Sequence, residues 1–238
     1  MAEPQLYFVP ESPMAGLELE LPEDTSRHIG QVLRMKEGAA LQLTNGKGIL
    51  AGGKLVEVTK KRSRFLVEEV RFVEAKKPEL ALAIAFTKNA SRNEWLLEKA
   101  TELGISRIIP LITERSIRER IKEERWKSII LAAMLQSRQV WLPLLNKPQA
   151  FEEVVGESFS GTRLIAHCMD MDRLSITKAL KKGEHVQIFI GPEGDFSPAE
   201  LTLATKAGVI PISLGTNRLR TETAALSAIT YFYLINHA

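Results

Sequence analysis

Two short stretches of this sequence concentrate residue types suited to polar chemistry. The first is Gly191-Pro-Glu-Gly-Asp-Phe-Ser-Pro198, in which two glycines permit positive φ and close backbone approach while a proline stiffens the turn. The second is Leu214-Gly-Thr-Asn-Arg-Leu-Arg-Thr-Glu-Thr-Ala224, where Arg218, Arg220 and Glu222 fall close together. Arginines so grouped can stabilise developing negative charge, and a carboxylate beside them can orient a cation or accept a proton. Both stretches also read as plain strand-to-helix turns, with Arg220 and Glu222 forming a local ion pair. Neither contains GxGxxG or GxxxxGK[ST], which argues against a dinucleotide fold of the Rossmann type and against a Walker phosphate loop.

Other candidates are weaker. Cys168 is the only cysteine, so no intramolecular disulfide forms, and no Cys/His spacing resembles a zinc site; no metal is expected. His167 and Cys168 are adjacent at a strand end and point to opposite faces, which suits a core or surface role better than a nucleophile pair. Asp170 and Asp172 are spaced as a carboxylate pair, but capping of the following helix is the better reading. Trp95, Trp126 and Trp141 lie in or beside helices, where aromatic rings usually pack in the core.

These residues need a scaffold. The 238 residues are 45% hydrophobic and 26% charged, which is ordinary globular usage and excludes collagen, disorder and low complexity. From residue 5 to 75 the signals are short strands, at Leu6–Val9, Ala40–Thr44, Gly48–Ala51, Lys54–Val58 and Phe65–Val70, with one helix over Asp24–Met35. Asn45-Gly46-Lys47-Gly48 marks a hairpin turn, and the whole reads as a small β-barrel-like domain.

Beyond Ala75-Lys-Lys-Pro78 strands alternate with helices, as in a predominantly parallel sheet. Strands are expected at Leu80–Phe86, Arg107–Ile112, Arg163–Ala166, Val186–Ile190 and Val209–Leu214. Helices are expected near Arg92–Leu103, Lys122–Ser137, Ser175–Lys181, Pro198–Lys206 and Thr223–Asn236. Ser197, Pro198 and Glu200 form a helix start with cap, first-turn proline and returning carboxylate. In such sheets ligands bind beyond the carboxyl ends of strands, where both polar stretches fall.

The net charge is only +3, with the basic excess concentrated between residues 76 and 150. Arg115, Arg118, Arg120, Lys122, Arg125 and Lys127 supply much of it and suit either a phosphate-tracking face or a solvated helix paired with Glu119, Glu123 and Glu124. The run Lys60-Lys-Arg-Ser-Arg64 is likewise a phosphate contact or a charged hairpin tip. No signal peptide and no apolar stretch near the ~20 residues of a membrane span is visible, so a cytoplasmic protein is expected, in a reducing compartment and with no membrane partner.

GPEGDFSPAE followed by LGTNRLRTETAALSAI resembles the C-terminal signature of the ribosomal RNA small subunit methyltransferase E family, in the SPOUT class. Arg27-His28-Ile29 with Val32-Leu33-Arg34-Met35, Lys88 with Glu94 and Lys99-Ala-Thr-Glu102-Leu-Gly104, Glu114-Arg115-Ser116, and Gln136-Ser137 with Pro143 extend the likeness over nearly the whole chain. The resemblance implies an α/β fold: a PUA-like β-barrel that binds RNA, residues 1–74, and a SPOUT α/β domain with a deep trefoil knot, residues 75–238. It implies methylation of N3 of a uridine in 16S rRNA of the small ribosomal subunit from S-adenosylmethionine, by a homodimer. Alternatives are another SPOUT activity, on ribose 2′-O or a tRNA base, and a non-catalytic RNA-binding or ribosome-assembly protein.

Carried over by residue, Gly191, Glu193, Gly194, Leu214, Gly215, Leu219, Arg220, Thr221, Glu222, Thr223 and Ala224 would hold the cofactor. Arg220, Arg218 and Glu222 would be catalytic. Arg27, His28, Arg34, Lys88, Arg92, Arg115, Arg118 and Arg138 would bind RNA, with the Lys60–Arg64 run beside them. Asp195 stands where many relatives are expected to carry glycine; if that position needs positive φ, aspartate tolerates it better than most residues.

Overall fold

A computed structural model of the chain describes residues 4–59, 61–116 and 122–237. The chain divides into two compact units, Met1–Ala75 with Met134–Leu142, and Lys76–Ala133 with Pro143–Ala238. The first unit is thus not one continuous segment.

In the first unit, strands β1 (Leu6–Phe8), β2 (Glu18–Glu20), β3 (Ala40–Thr44), β4 (Ile49–Val58) and β5 (Ser63–Phe72) form a sheet in the order β1-β3-β4-β5-β2. Only β1–β3 is a parallel pair. Alternate residues of these strands, among them Leu41, Leu43, Leu55, Phe65 and Val67, enclose one apolar core. The two short strands expected around Gly52 and Gly53 are one strand, β4, whose register on β5 shifts at that pair and again between Leu55 and Glu57. Such shifts bend a strand without ending it.

The expected helix over Asp24–Met35 is shorter and changes type. It is α-helical as α1 (Glu23–Arg27) and continues as a π turn over His28–Val32. Segment 134–142 joins this unit through the hydrogen bonds Gly48 N–H to Val140 O, Leu142 N–H to Gly46 O and Trp141 Nε1–H to Val73 O. Trp141 meets Phe72 edge-on and remains partly exposed, so it is not the core residue its helix-side position suggested.

The second unit is built on one parallel sheet. Its strands are β6 (Leu80–Ile84), β7 (Arg107–Ile112), β8 (Leu144–Leu145), β9 (Gln149–Ala150), β10 (Thr162–Ala166), β11 (Leu174–Ser175), β12 (Val186–Ile190) and β13 (Ile210–Ser213). Its helices are α2 (Ala90–Glu102), α3 (Glu123–Gln136), which runs on into the first unit, α4 (Phe151–Gly156), α5 (Ile176–Ala179), α6 (Pro198–Lys206) and α7 (Thr221–His237). Strand order is β11-β13-β10-β12-β6-β7-β8, with β9 also on β7.

Every residue of β6 and β12 is buried, as the apolar runs Leu80–Ile84 and Val186–Ile190 require of strands covered on both faces. Leu82, Ile84, Ile188 and Ile190 face α2, α5 and α7, whereas Ala83 and Phe189 face α4 and α6. Trp126 packs with the first layer, but Trp95 is 43% exposed on α2, contrary to a core role.

Strand β13 follows β12 in sequence yet lies beyond β10, and α7 then returns to pack on β12 and β6. The chain therefore passes β10 between β12 and β13 and doubles back to the middle of the sheet. Among the described residues no helix is long and apolar enough to cross a membrane.

Candidate active site

A cavity of about 840 Å³ opens at the carboxyl ends of β10, β12 and β13. Three chain segments wall it: Ala166–Cys168 with Arg173, Ile190–Glu193 with Asp195, and the stretch from Ile212 to Thr221 with Ala224. Both polar stretches singled out in the sequence are thus brought together, because β10, β12 and β13 are neighbours in the sheet.

The first loop is held from within. A Cβ on Gly191 would lie 3.2 Å from the Phe196 ring and amide, a tight contact that Phe196 would have to yield to by a few tenths of an ångström. Phe196 is fully buried 5.1 Å from the Phe151 ring and anchors the loop beneath the cavity. The loop then ends in the expected helix start: Glu200 N–H donates to Ser197 Oγ and Ser197 N–H to Glu200 Oε2. Glu200 Oε1 also accepts Glu114 N–H at 2.9 Å. Asp195 has φ of +62°, a left-handed conformation that aspartate tolerates better than most residues.

The second loop turns at Gly215, whose φ of +137° favours glycine. Thr221, first residue of α7, donates from Oγ1 to Gly191 O at 3.2 Å and ties the two loops. Arg218 and Arg220 both line the cavity. Of the residues assigned to the cofactor, Gly191, Glu193, Leu214, Gly215, Leu219, Arg220, Thr221 and Ala224 line it too.

Gly194, Glu222 and Thr223 do not line the cavity. Gly194 lies against Arg115, which donates to its carbonyl at 2.8 Å. Glu222 is only 8% exposed and pairs with Arg92 of α2 at 3.4 Å, so the local Arg220–Glu222 pair does not form among the described residues. Its Oε2 is buried with no hydrogen-bond partner among the described residues.

The residues assigned to RNA scatter over both units. In the first, Arg27 is exposed and pairs with Glu23 and Asp24, His28 Nδ1 is 3.3 Å from the Tyr7 hydroxyl, and Arg34 is exposed with φ of +51°. Arg138 donates to Pro4 O and Gln42 Oε1. In the second, Lys88 is exposed, Arg92 faces Glu222, and Arg115 holds the Gly194 and Phe196 carbonyls. Arg118 and Lys60 lie outside the described residues; Arg62 and Arg64 pair with Glu20, Glu18 and Glu57.

Sequence reasoning missed His167, Arg173, Ser213, Thr216 and Asn217 on the cavity wall, and placed Cys168 in the core or on the surface. The available signal was position, since His167 and Cys168 directly follow a parallel strand at its carboxyl end. His167 is 5% exposed, neither ring nitrogen has a hydrogen-bond partner among the described residues, and burial pushes its pKa below the ordinary value. Arg173 donates to the His167 carbonyl at 2.6 Å. Neither Asp170 nor Asp172 caps α5; the cap position is Ser175.

Two family models match this chain, one for an RNA methyltransferase domain over residues 74–233 and one for an RNA methyltransferase PUA domain over residues 21–68. Ribosomal RNA small subunit methyltransferase E of Rickettsia conorii is 30% identical over 223 residues, covering 92% of this chain and 90% of that protein. A "probable rRNA-methyltransferase" of Porphyromonas gingivalis superimposes with a TM-score of 0.90 at 35% identity, covering 97% of this chain and 98% of the other. The Neisseria gonorrhoeae ribosomal RNA small subunit methyltransferase E bound to S-adenosylmethionine gives 0.85 at 27% identity, covering 96% of both.

Proposed function

This chain belongs to the ribosomal RNA small subunit methyltransferase E family of RNA methyltransferases, and on that premise we propose that it methylates N3 of one uridine in 16S rRNA, using S-adenosylmethionine and working as a cytoplasmic homodimer. The observation that carries the reading is the cavity itself. Its volume, about 840 Å³, lies within the ~300–1,000 Å³ of small-molecule sites, and its walls combine two glycine-bearing turns with few, localised charges.

The residues fit that cofactor. Gly191 and Gly215 turn the two loops with no side chain over the cavity, their backbones fixed by Thr221 Oγ1 on the Gly191 carbonyl and by Ser213 Oγ on the Gly215 N–H and C=O. Glu193, Leu214, Leu219, Thr221 and Ala224 complete the wall, while Gly194 acts through its carbonyl on Arg115. The bound cofactor supplies an electrophilic methyl group on a positively charged sulfur.

The protein's own part is to present uridine N3 in line and to stabilise charge. Uridine N3 bears a proton, which passes to solvent before the nitrogen attacks, and the negative charge then spreads onto O2 and O4. Arg220 and Arg218, on the cavity wall, are the cations that meet it. Glu222 orients Arg92 and does not take the proton, since it is buried away from the cavity.

The proposed RNA contacts are to phosphate, from the exposed Arg27 and Arg34 in the first unit and, separately, from the exposed Lys88 in the second; such contacts position the substrate without reading bases. Dimerisation is supported by exposed apolar side chains, Trp95 and Leu234, on two helices that pack together, α2 and α7. Incubating the protein with isotopically labelled S-adenosylmethionine and small ribosomal subunits lacking the modification tests the reading. Labelled N3-methyluridine on nucleoside mass spectrometry is expected; another labelled nucleoside refutes the acceptor, and no label refutes the activity.

A further inference from the structure

We propose that Asp195 is a positioning residue that clasps the two rims of the cavity and so sets its affinity for S-adenosylmethionine; this rests on the reading of the cavity given above. The backbone pairing of β10 with β12 ends at Ala166 and Ile190. Beyond that point the two chains splay, and the opening between them is part of the cavity wall. The Asp195 carboxylate spans the splay: Oδ2 accepts the Cys168 N–H at 2.7 Å, from a residue 27 positions earlier in the chain. Its Oδ1 accepts the Phe196 N–H at 2.8 Å, and its own N–H donates to Pro192 O at 2.9 Å.

One side chain thus closes its own turn and reaches the opposite rim. Among the described residues no cation lies within ion-pair distance of Asp195, so these amides are its principal partners. A charged acceptor makes the stronger class of hydrogen bond to an amide. The backbone at φ +62° is strained for most side chains, and glycine would adopt it more freely. Glycine would nevertheless leave the Cys168 and Phe196 amides without these acceptors. The other anchors of the two rims, Arg173 on the His167 carbonyl and Arg115 on the Gly194 carbonyl, hold each rim to its own surroundings and do not cross the opening. Without the clasp, ligand binding must itself order the rims, and that ordering opposes affinity.

Asp195→Gly tests this, because it relieves the backbone conformation while removing the clasp. The variant is expected to melt no lower than the parent protein, yet to bind S-adenosylmethionine about tenfold more weakly by calorimetry, the order of one lost charge-assisted hydrogen bond. S-adenosylhomocysteine, which lacks the positive sulfur, should weaken by the same factor. The Cys168 and Phe196 amides should exchange hydrogen markedly faster. If Asp195→Gly does not fold, Asp195→Asn, which keeps one acceptor oxygen and tolerates the same φ, is expected to show a smaller loss for both ligands.

Unchanged affinities for both ligands overturn the clasp while leaving the cavity's assignment intact. A loss confined to S-adenosylmethionine also overturns it, since that pattern marks direct charge recognition of the sulfonium. Failure of the unaltered protein to bind S-adenosylmethionine overturns the functional reading first and this inference with it.

Discussion

Removing either partner of the Arg92–Glu222 pair should have unequal costs. The charges lie 3.4 Å apart, with the Glu222 side chain 10% exposed and that of Arg92 37% exposed. At that distance Coulomb attraction is about 1 kcal/mol in water and about 5 kcal/mol at an effective dielectric of ~20; the half-open geometry places the coupling between, near ~2 kcal/mol. Arg92→Met leaves a buried carboxylate with neither oxygen paired, and should cost about 3 kcal/mol. Glu222→Met removes a carboxylate whose Oε2 already lacks a partner, so the lost attraction is partly offset by relieved desolvation and the cost should be about 1 kcal/mol. The double variant should cost about 2 kcal/mol, the two single losses less the coupling between the partners. Urea unfolding of all four proteins, followed through the transition of the second unit, measures the cycle. Additive losses in the double variant, or a larger loss from Glu222→Met than from Arg92→Met, would refute the reasoning.

Arg220→Ala should lower turnover on ribosomal subunits far more than it weakens cofactor binding, and equal losses in both would remove the catalytic assignment. Arg163→Met should destabilise the second unit by about 3 kcal/mol in chemical unfolding, because this guanidinium caps the Val154, Val155 and Glu157 carbonyls at the end of α4, bonds Gln187 and lies over Phe189. His167 has its pKa depressed by burial below the ordinary 6.5, so the unfolded chain binds its proton more readily. Above pH 6.5 both states are neutral and nothing changes; stability is lost as pH falls from 6.5 toward the folded value, and His167→Phe should flatten that part of the pH–stability profile. Affinity for the small subunit should fall steeply with salt, and a flat response between low and high ionic strength would count against phosphate contacts.

The strand core of the second unit was legible because β6 and β12 are short, wholly apolar runs, and only a sheet covered on both faces buries every residue of such a run. The two polar loops were legible for the related reason that each directly follows such a strand. What the pattern could not convey is pairing between distant segments. Segment 134–142 carries no signal that it joins the first unit, since its ties there run largely through backbone groups at Gly46, Gly48 and Val73. Short elements such as β2, β8, β9, β11 and α4 are shaped by their neighbours more than by their own two to six residues. The π turn after Arg27 replaces a helix whose apolar spacing at Ile29, Val32 and Leu33 suited an ordinary α-helix equally well.

The arginines show where reading of the site met its limit. A guanidinium has five donors that suit phosphate, carboxylate and backbone carbonyl alike, so sequence reveals the charge but not its partner. Four of those expected to meet RNA are engaged within the protein: Arg27 on Glu23 and Asp24, Arg92 on Glu222, Arg115 on the Gly194 and Phe196 carbonyls, and Arg138 on Pro4 and Gln42. Replacing one of these with alanine removes an internal tie as well as a charge, and weakened RNA binding would follow from either loss. Arg34 and Lys88, exposed and outside the ion pairs among the described residues, are the cleaner probes. For each, substitution by glutamine should weaken RNA binding and reduce its salt dependence by about one counterion, leaving the melting temperature and cofactor affinity where they were. A loss of cofactor affinity in Lys88→Gln would place that lysine at the cavity, not on the RNA path.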